Sequence, residues 1–194
     1  MKKLLYFIPV FLFIACGGSK SKGDKAAETP AEEKKIPVLS DAFNSSFEKV
    51  LTTYYSLRDA LVASDTAQAN AASSSLITAV GEVKLDELKS ADTANIIIPT
   101  AKTYTDGIAS ESKGLLGEPD IEQKRKAFQM ISTGLFDLVR TVRYDKQKVY
   151  MLHCPMAFDN AGADWLSNTT EIKNPYFGSK MLTCGSVADS VVLK

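Results

Sequence analysis

Most side chains able to bind a soft metal or form a covalent bridge fall in one stretch near the C-terminus. Met151, His153 (the only histidine), Cys154, Met156, Met181 and Cys184 lie within 34 residues. Thiolate, thioether and imidazole are soft or borderline ligands, and together they favour Cu(I) over hard cations. In an extended segment Cys154 and Met156 share a face while His153 points away. Pro155 between them fixes φ near about −65° and stiffens the pair. Met181 and Cys184 are three apart, which places both on one side of a helical turn. Two such pairs facing each other make a site of two thiolates and two thioethers for Cu(I) or Ag(I), with His153 as a fifth group or an outer donor. A Zn(II) site of His153, Cys154 and Cys184 is less favoured, because it joins an adjacent pair to one distant ligand.

The same cysteines admit a plainer chemistry. A Cys154–Cys184 disulfide closes a 31-residue loop, worth roughly 3.5–4 kcal/mol in the chain-entropy model. A turn-rich segment with few apolar residues needs such a staple, and Met156 and Met181 are then core filler. Spacing leaves both readings open, and a reversible bond would let one gate the other.

Enzyme chemistry finds little here. His153 and Cys154 are adjacent, so in an extended chain they cannot form a nucleophile–base pair. There is no second histidine, Gly-rich phosphate loop, paired-carboxylate motif or Cys-x-x-Cys. Lys and Arg number 23 against 23 Asp and Glu, which excludes the basic excess of a nucleic-acid binder.

The N-terminus reads as an address. Lys2 and Lys3 precede a twelve-residue apolar run, Leu4 to Ala15, interrupted by Pro9. That run is too short to cross a roughly 30 Å hydrocarbon core as a helix. It ends in Phe13-Ile14-Ala15-Cys16 and resembles a bacterial lipobox, with Phe13 where Leu, Val or Ile is usual. The resemblance implies acylation of Cys16, a membrane anchor and a periplasmic location, and Gly17 in place of Asp prefers the outer membrane. Loss of the leader leaves 21 basic against 23 acidic residues, so lipid and not a basic patch holds the membrane. Only Cys154 and Cys184 then remain to pair. Residues 17–38, with Pro30, Pro37 and few large apolar residues, are expected to be a disordered tether.

What must position the sulfurs is a domain of ordinary composition: 194 residues in all, 45% apolar and 24% charged. The expected class is mainly α, an antiparallel helical bundle over 39–146 followed by a small turn-rich segment with short β-structure over 147–194. Behind Ser40, an N-cap, Phe43, Phe47, Val50, Leu51, Tyr54, Leu57 and Leu61 recur at helical spacing, with Arg58 and Asp59 mostly on other faces. Asp65-x-x-Gln68 resembles a capping box before an Ala- and Ser-rich helix that stops near Gly81. A third stripe is Ile97, Ala101, Tyr104, Ile108 and Leu115, with Pro99 tolerable in the first turns. Pro119 suits the first turn of a fourth helix lined by Ile121, Phe128, Ile131, Leu135, Leu138, Val139 and Val142. No polar residue among these stripes suggests chemistry. Beyond Tyr144, Lys148 to Leu152 is β-prone, and turn signals fall at Asp159-Asn160, Gly162 and Asn174-Pro175.

Several of these residues carry a family resemblance. They are Tyr54-Tyr55, Leu57 and Ala60-Leu61, then His153-Cys154-Pro155-Met156-Ala157, Ala161-Gly162, Trp165-Leu166, Asn174-Pro175-Tyr176-Phe177-Gly178 and Met181-Leu182-x-Cys184-Gly185. The chain resembles, over roughly 40 to 188, a bacterial domain family of unknown function. Its domains occur alone in lipoproteins or at the end of periplasmic adaptor subunits of copper/silver-type RND efflux systems. The resemblance implies a helical body, a compact C-terminal segment and a link to copper handling, with an efflux adaptor as partner. Asp164 departs from the pattern, where a larger, often aromatic residue is expected.

Overall fold

A computed structural model describes residues 39–191. The leader, Cys16 and the tether lie outside the described residues. Four long helices are followed by a three-stranded antiparallel sheet. Helix α1 (Asp41–Val62) starts where the Ser40 hydroxyl accepts the Phe43 N–H at 3.1 Å. Helix α2 (Thr66–Gly81) starts at Asp65, whose carboxylate accepts the Gln68 N–H at 2.9 Å. The reciprocal half of a capping box is missing, because the Asp65 N–H bonds the Ala60 carbonyl at the end of α1. The Gln68 amide donates to the second Asp65 oxygen instead, at 2.8 Å.

Helix α3 (Ile97–Gly117) has an apolar N-cap, Ile96, with no oxygen to offer. Asp92 replaces it from a distance, accepting the N–H groups of Ile96, Ile97 and Ile98 at 2.7, 2.9 and 2.9 Å. Burial raises the Asp92 pKa, but these three donors outweigh it and hold the carboxyl below the usual range. Helix α4 (Ile121–Val142) is capped by Asp120. Pro119 therefore precedes the cap and does not occupy the first turn. Among the described residues no helix is long and apolar enough to cross a membrane.

The apolar stripes meet in one core: Phe43, Phe47, Leu51, Tyr54, Leu57 and Leu61 of α1 are fully buried, as are Phe128, Ile131, Leu135 and Leu138 of α4. Arg58, expected mostly on another face, is buried, and so are Lys124 and Arg125 of α4. The Lys124 ammonium donates to Asn70 Oδ1 at 2.7 Å and to the Leu115 carbonyl at 2.8 Å, and burial pulls its pKa below the usual lysine value. Helical periodicity marks which side of a helix faces inward. It does not show whether a long cation there can reach acceptors on neighbouring helices.

The strands are β1 (Val149–Cys154), β2 (Ala163–Ser167) and β3 (Ser186–Val191), ordered β2-β1-β3. Leu152 pairs with Trp165 and Cys154 with Ala163 on one side, and His153 with Ser186 on the other, with a bulge at Met151/Leu152. Helix α4 packs against β2, and side chains of α1 reach the strand's outer edge. The Tyr54 hydroxyl accepts the Leu166 N–H at 2.9 Å and bonds Ser132 of α4 at 2.7 Å, while Arg58 reaches Ser167 Oγ at 3.3 Å. The Leu166 N–H on that edge is therefore not free to pair with a foreign strand.

Candidate metal centre

Cys154 ends β1 on its inner face, and Cys184 lies on the turn entering β3. Their Sγ atoms are 3.2 Å apart, and both are free thiols. Three features hold Cys184 there. Its N–H closes a turn on the Met181 carbonyl at 3.1 Å, and its carbonyl accepts the Asn174 side-chain N–H at 2.8 Å. Gly185 follows with φ 142°, where an added Cβ would stand 2.8 Å from the His153 carbonyl and 2.9 Å from the Trp165 ring. Only glycine lets the chain turn in this close. The hydrogen bond with the Cys154 sulfur, and after it burial, raise the Cys184 pKa.

Met156 and Met181 line one cleft of about 450 Å³, together with Phe158, Tyr176, Phe177 and Glu122. Neither is placed as the spacing suggested. The strand ends at Cys154, so Met156 sits in a turn (φ −94°, ψ −8°) and not two residues along an extended face. Met181 and Cys184 bracket a hydrogen-bonded turn after a short 3-10 helix, Gly178–Lys180, and not a turn of α-helix.

The chain beside Met156 is strained. Phe158 (φ 54°, ψ 58°) and Asp159 (φ 58°, ψ 41°) are left-handed, and Asn160 follows with φ 68°. Asp and Asn tolerate this region, but for Phe158 it costs roughly 1–2 kcal/mol. Strain of this kind persists where surrounding structure holds it, and it clusters at functional sites.

His153 does not join the sulfurs. Strand alternation puts its ring on the face opposite Cys154, where Nδ1 lies 2.7 Å from Asp164 Oδ1. Asp164 thus has a partner directly across the ladder, and its carbonyl accepts the Tyr176 hydroxyl. Among the described residues no three His, Cys, Asp or Glu side chains converge; thioethers stand outside that set.

The Asn174 to Gly178 run acquires roles that spacing did not reveal. The Asn174 side-chain Oδ1 accepts the N–H groups of Tyr176 and Phe177 at 2.8 and 3.2 Å, so one fully buried side-chain amide ties this loop to the Cys184 turn. Buried Arg125 of α4 donates to the carbonyls of Pro175 (2.7 Å) and Leu61 (3.0 Å) and to Ser64 Oγ (3.0 Å), clamping the loop to α1 and α4. Gly178 (φ +57°) packs where a Cβ would stand 2.8 Å from the Val62 carbonyl. An Asn-Pro turn signal was the visible hint; Arg125 gave none.

A family model described as protein of unknown function (DUF3347) matches residues 50–147. That stretch runs from α1 to just before β1, and the motifs at 153–185 lie beyond it. No curated protein and no solved structure matches the chain significantly.

Proposed function

The chain belongs to the DUF3347 family of proteins of unknown function, and from that premise we propose that it is a soft-metal binding protein for Cu(I) or Ag(I). Cys154 and Cys184 supply thiolates, and Met156 and Met181 supply thioethers. The observation that carries this reading is the pair of unbridged sulfurs 3.2 Å apart. Met156 and Met181 share one cleft, which neither cysteine lines, so the four-sulfur site requires the two pairs to close on each other. Two thiolates and two thioethers form a donor set matched to a soft monovalent ion. His153 stands outside this ligand set because strand alternation turns its ring to the face opposite Cys154. The protein acts as a chaperone or buffer and not as an enzyme. It is held by acylated Cys16 at the periplasmic face of the outer membrane, and its partner is an efflux adaptor.

Metal analysis of the purified, reduced protein tests this. About one equivalent of Cu(I) or Ag(I) is expected to bind in preference to Zn(II). The Cys154→Ser/Cys184→Ser variant is expected to lose it, and Met156→Leu or Met181→Leu to weaken it. Unchanged affinity in the double cysteine variant rejects the assignment. The short sulfur separation also favours a second reading, an interaction module whose cysteines form a permanent disulfide. Titration of freshly isolated protein decides between them, since two reactive thiols exclude a permanent bond.

A further inference from the structure

We infer that Cys154 and Cys184 form a reversible thiol–disulfide exchange centre, in which Cys184 meets an external disulfide and Cys154 resolves it. The sulfurs are unbridged at 3.2 Å, and a disulfide requires about 2.05 Å. Closure is an approach of about 1.2 Å, within the reach of side-chain adjustment, with the β1–β3 ladder intact. The two thiols differ in access. Cys154 is fully buried on the inner face of β1, where its cross-strand partner is Ala163. Cys184 is half-buried on a turn, with Leu182, Thr183 and Ser186 exposed around it. A disulfide arriving from solvent reaches Cys184 without disturbing the sheet, whereas Cys154 is reached only by opening it.

The chemistry balances with an external disulfide as oxidant. The Cys184 thiolate attacks one sulfur of that disulfide, the external S–S bond breaks, and the first thiol leaves with a proton. Cys154 then attacks Cys184 Sγ, the mixed disulfide breaks, and the second thiol leaves. Two protein thiols are oxidised, and one external disulfide is reduced to two thiols. The bond is reversible because the Cys184 side stays open to an attacking thiol, and accessible disulfides are the labile ones. Once bonded, neither sulfur is available as a thiolate ligand, so exchange controls metal occupancy. That consequence rests on the soft-metal reading; the exchange itself does not.

The test uses purified, reduced protein with a chelator present, so that metal plays no part. Glutathione disulfide is added, samples are quenched with acid, and adducts are located by mass spectrometry. The expected course is a first glutathione adduct on Cys184, its decay into the Cys154–Cys184 bond, and recovery of both thiols with reduced glutathione. In Cys154→Ser the Cys184 adduct persists. In Cys184→Ser, Cys154 is modified at least about tenfold more slowly. A first adduct on Cys154, or no internal bond, overturns the proposal. The wild-type time course alone decides the order, whether or not a variant folds. Normal exchange with no metal loading sinks the metal reading alone; metal loading without exchange sinks this one alone.

Discussion

Along α4, Phe128, Ile131, Leu135, Leu138 and Val139 are buried against the other helices by apolar contact. Between residues 174 and 185 the chain is held differently, by the Asn174 amide, the Arg125 guanidinium, the Tyr176 hydroxyl and two glycines at positive φ. Apolar packing is non-directional and tolerates small shifts, whereas a clamp of hydrogen bonds admits few geometries. A site whose sulfurs must sit a few ångströms apart belongs on the second kind of structure, with the first kind as its foundation.

That contrast orders the expected effects of substitution. The largest comes from the foundation. Phe128 stacks on Tyr54 at 5.2 Å and lies 6.0 Å from the Tyr176 ring, so Phe128→Ala is expected to cost about 3–5 kcal/mol in urea unfolding. Both regions should melt together; survival of the sheet alone would show two independent units. Next is the clamp. Arg125→Ala leaves the Leu61 and Pro175 carbonyls unpaired and should cost about 3 kcal/mol, with Cys184 becoming more reactive toward a thiol reagent. Arg125→Lys is expected to restore little, since one ammonium cannot reproduce the fork.

Tyr54→Phe removes the hydroxyl that joins Ser132 to the β2 edge, an expected loss of about 1.5 kcal/mol. Hydrogen exchange should rise at Leu166 while the helices stay protected. The smallest effect belongs to Asp92→Asn, which weakens the cap of α3. The folded Asp92 pKa is depressed, so its contribution is complete above the ordinary carboxylate value near about 3.9 and is lost as pH falls through the lower folded value. Thermal midpoints of wild type and variant should therefore differ at pH 7 and converge in strong acid. A gap that widens on acidification would reverse the sign.

The same contrast separates what was legible in the chain. Ser40, Asp65 and the stripes from Phe43 to Leu61 and from Phe128 to Val142 announce helices, because caps and three-to-four spacing are local relations among neighbours. Val149 to Leu152 announces a strand for the same reason. The capping of α3 by Asp92 was hidden because the oxygen comes from outside the usual cap position. β3 was hidden because Ser186 to Ser190 is largely exposed and carries no alternating apolar pattern.

At the candidate site, residue types alone nominated Cys154, Met156, Met181 and Cys184, since sulfur chemistry does not depend on the fold. Their arrangement was another matter. Cys154 and Cys184 are 30 positions apart and touch because β3 returns beside β1. His153 is turned to Asp164 by strand register, and buried Arg125 is tolerated because acceptors from α1 and the 174–178 loop converge on it. Each of these contacts joins residues far apart along the chain. Nothing in the spacing of one partner encodes the position of the other, so the packed fold alone brings them together.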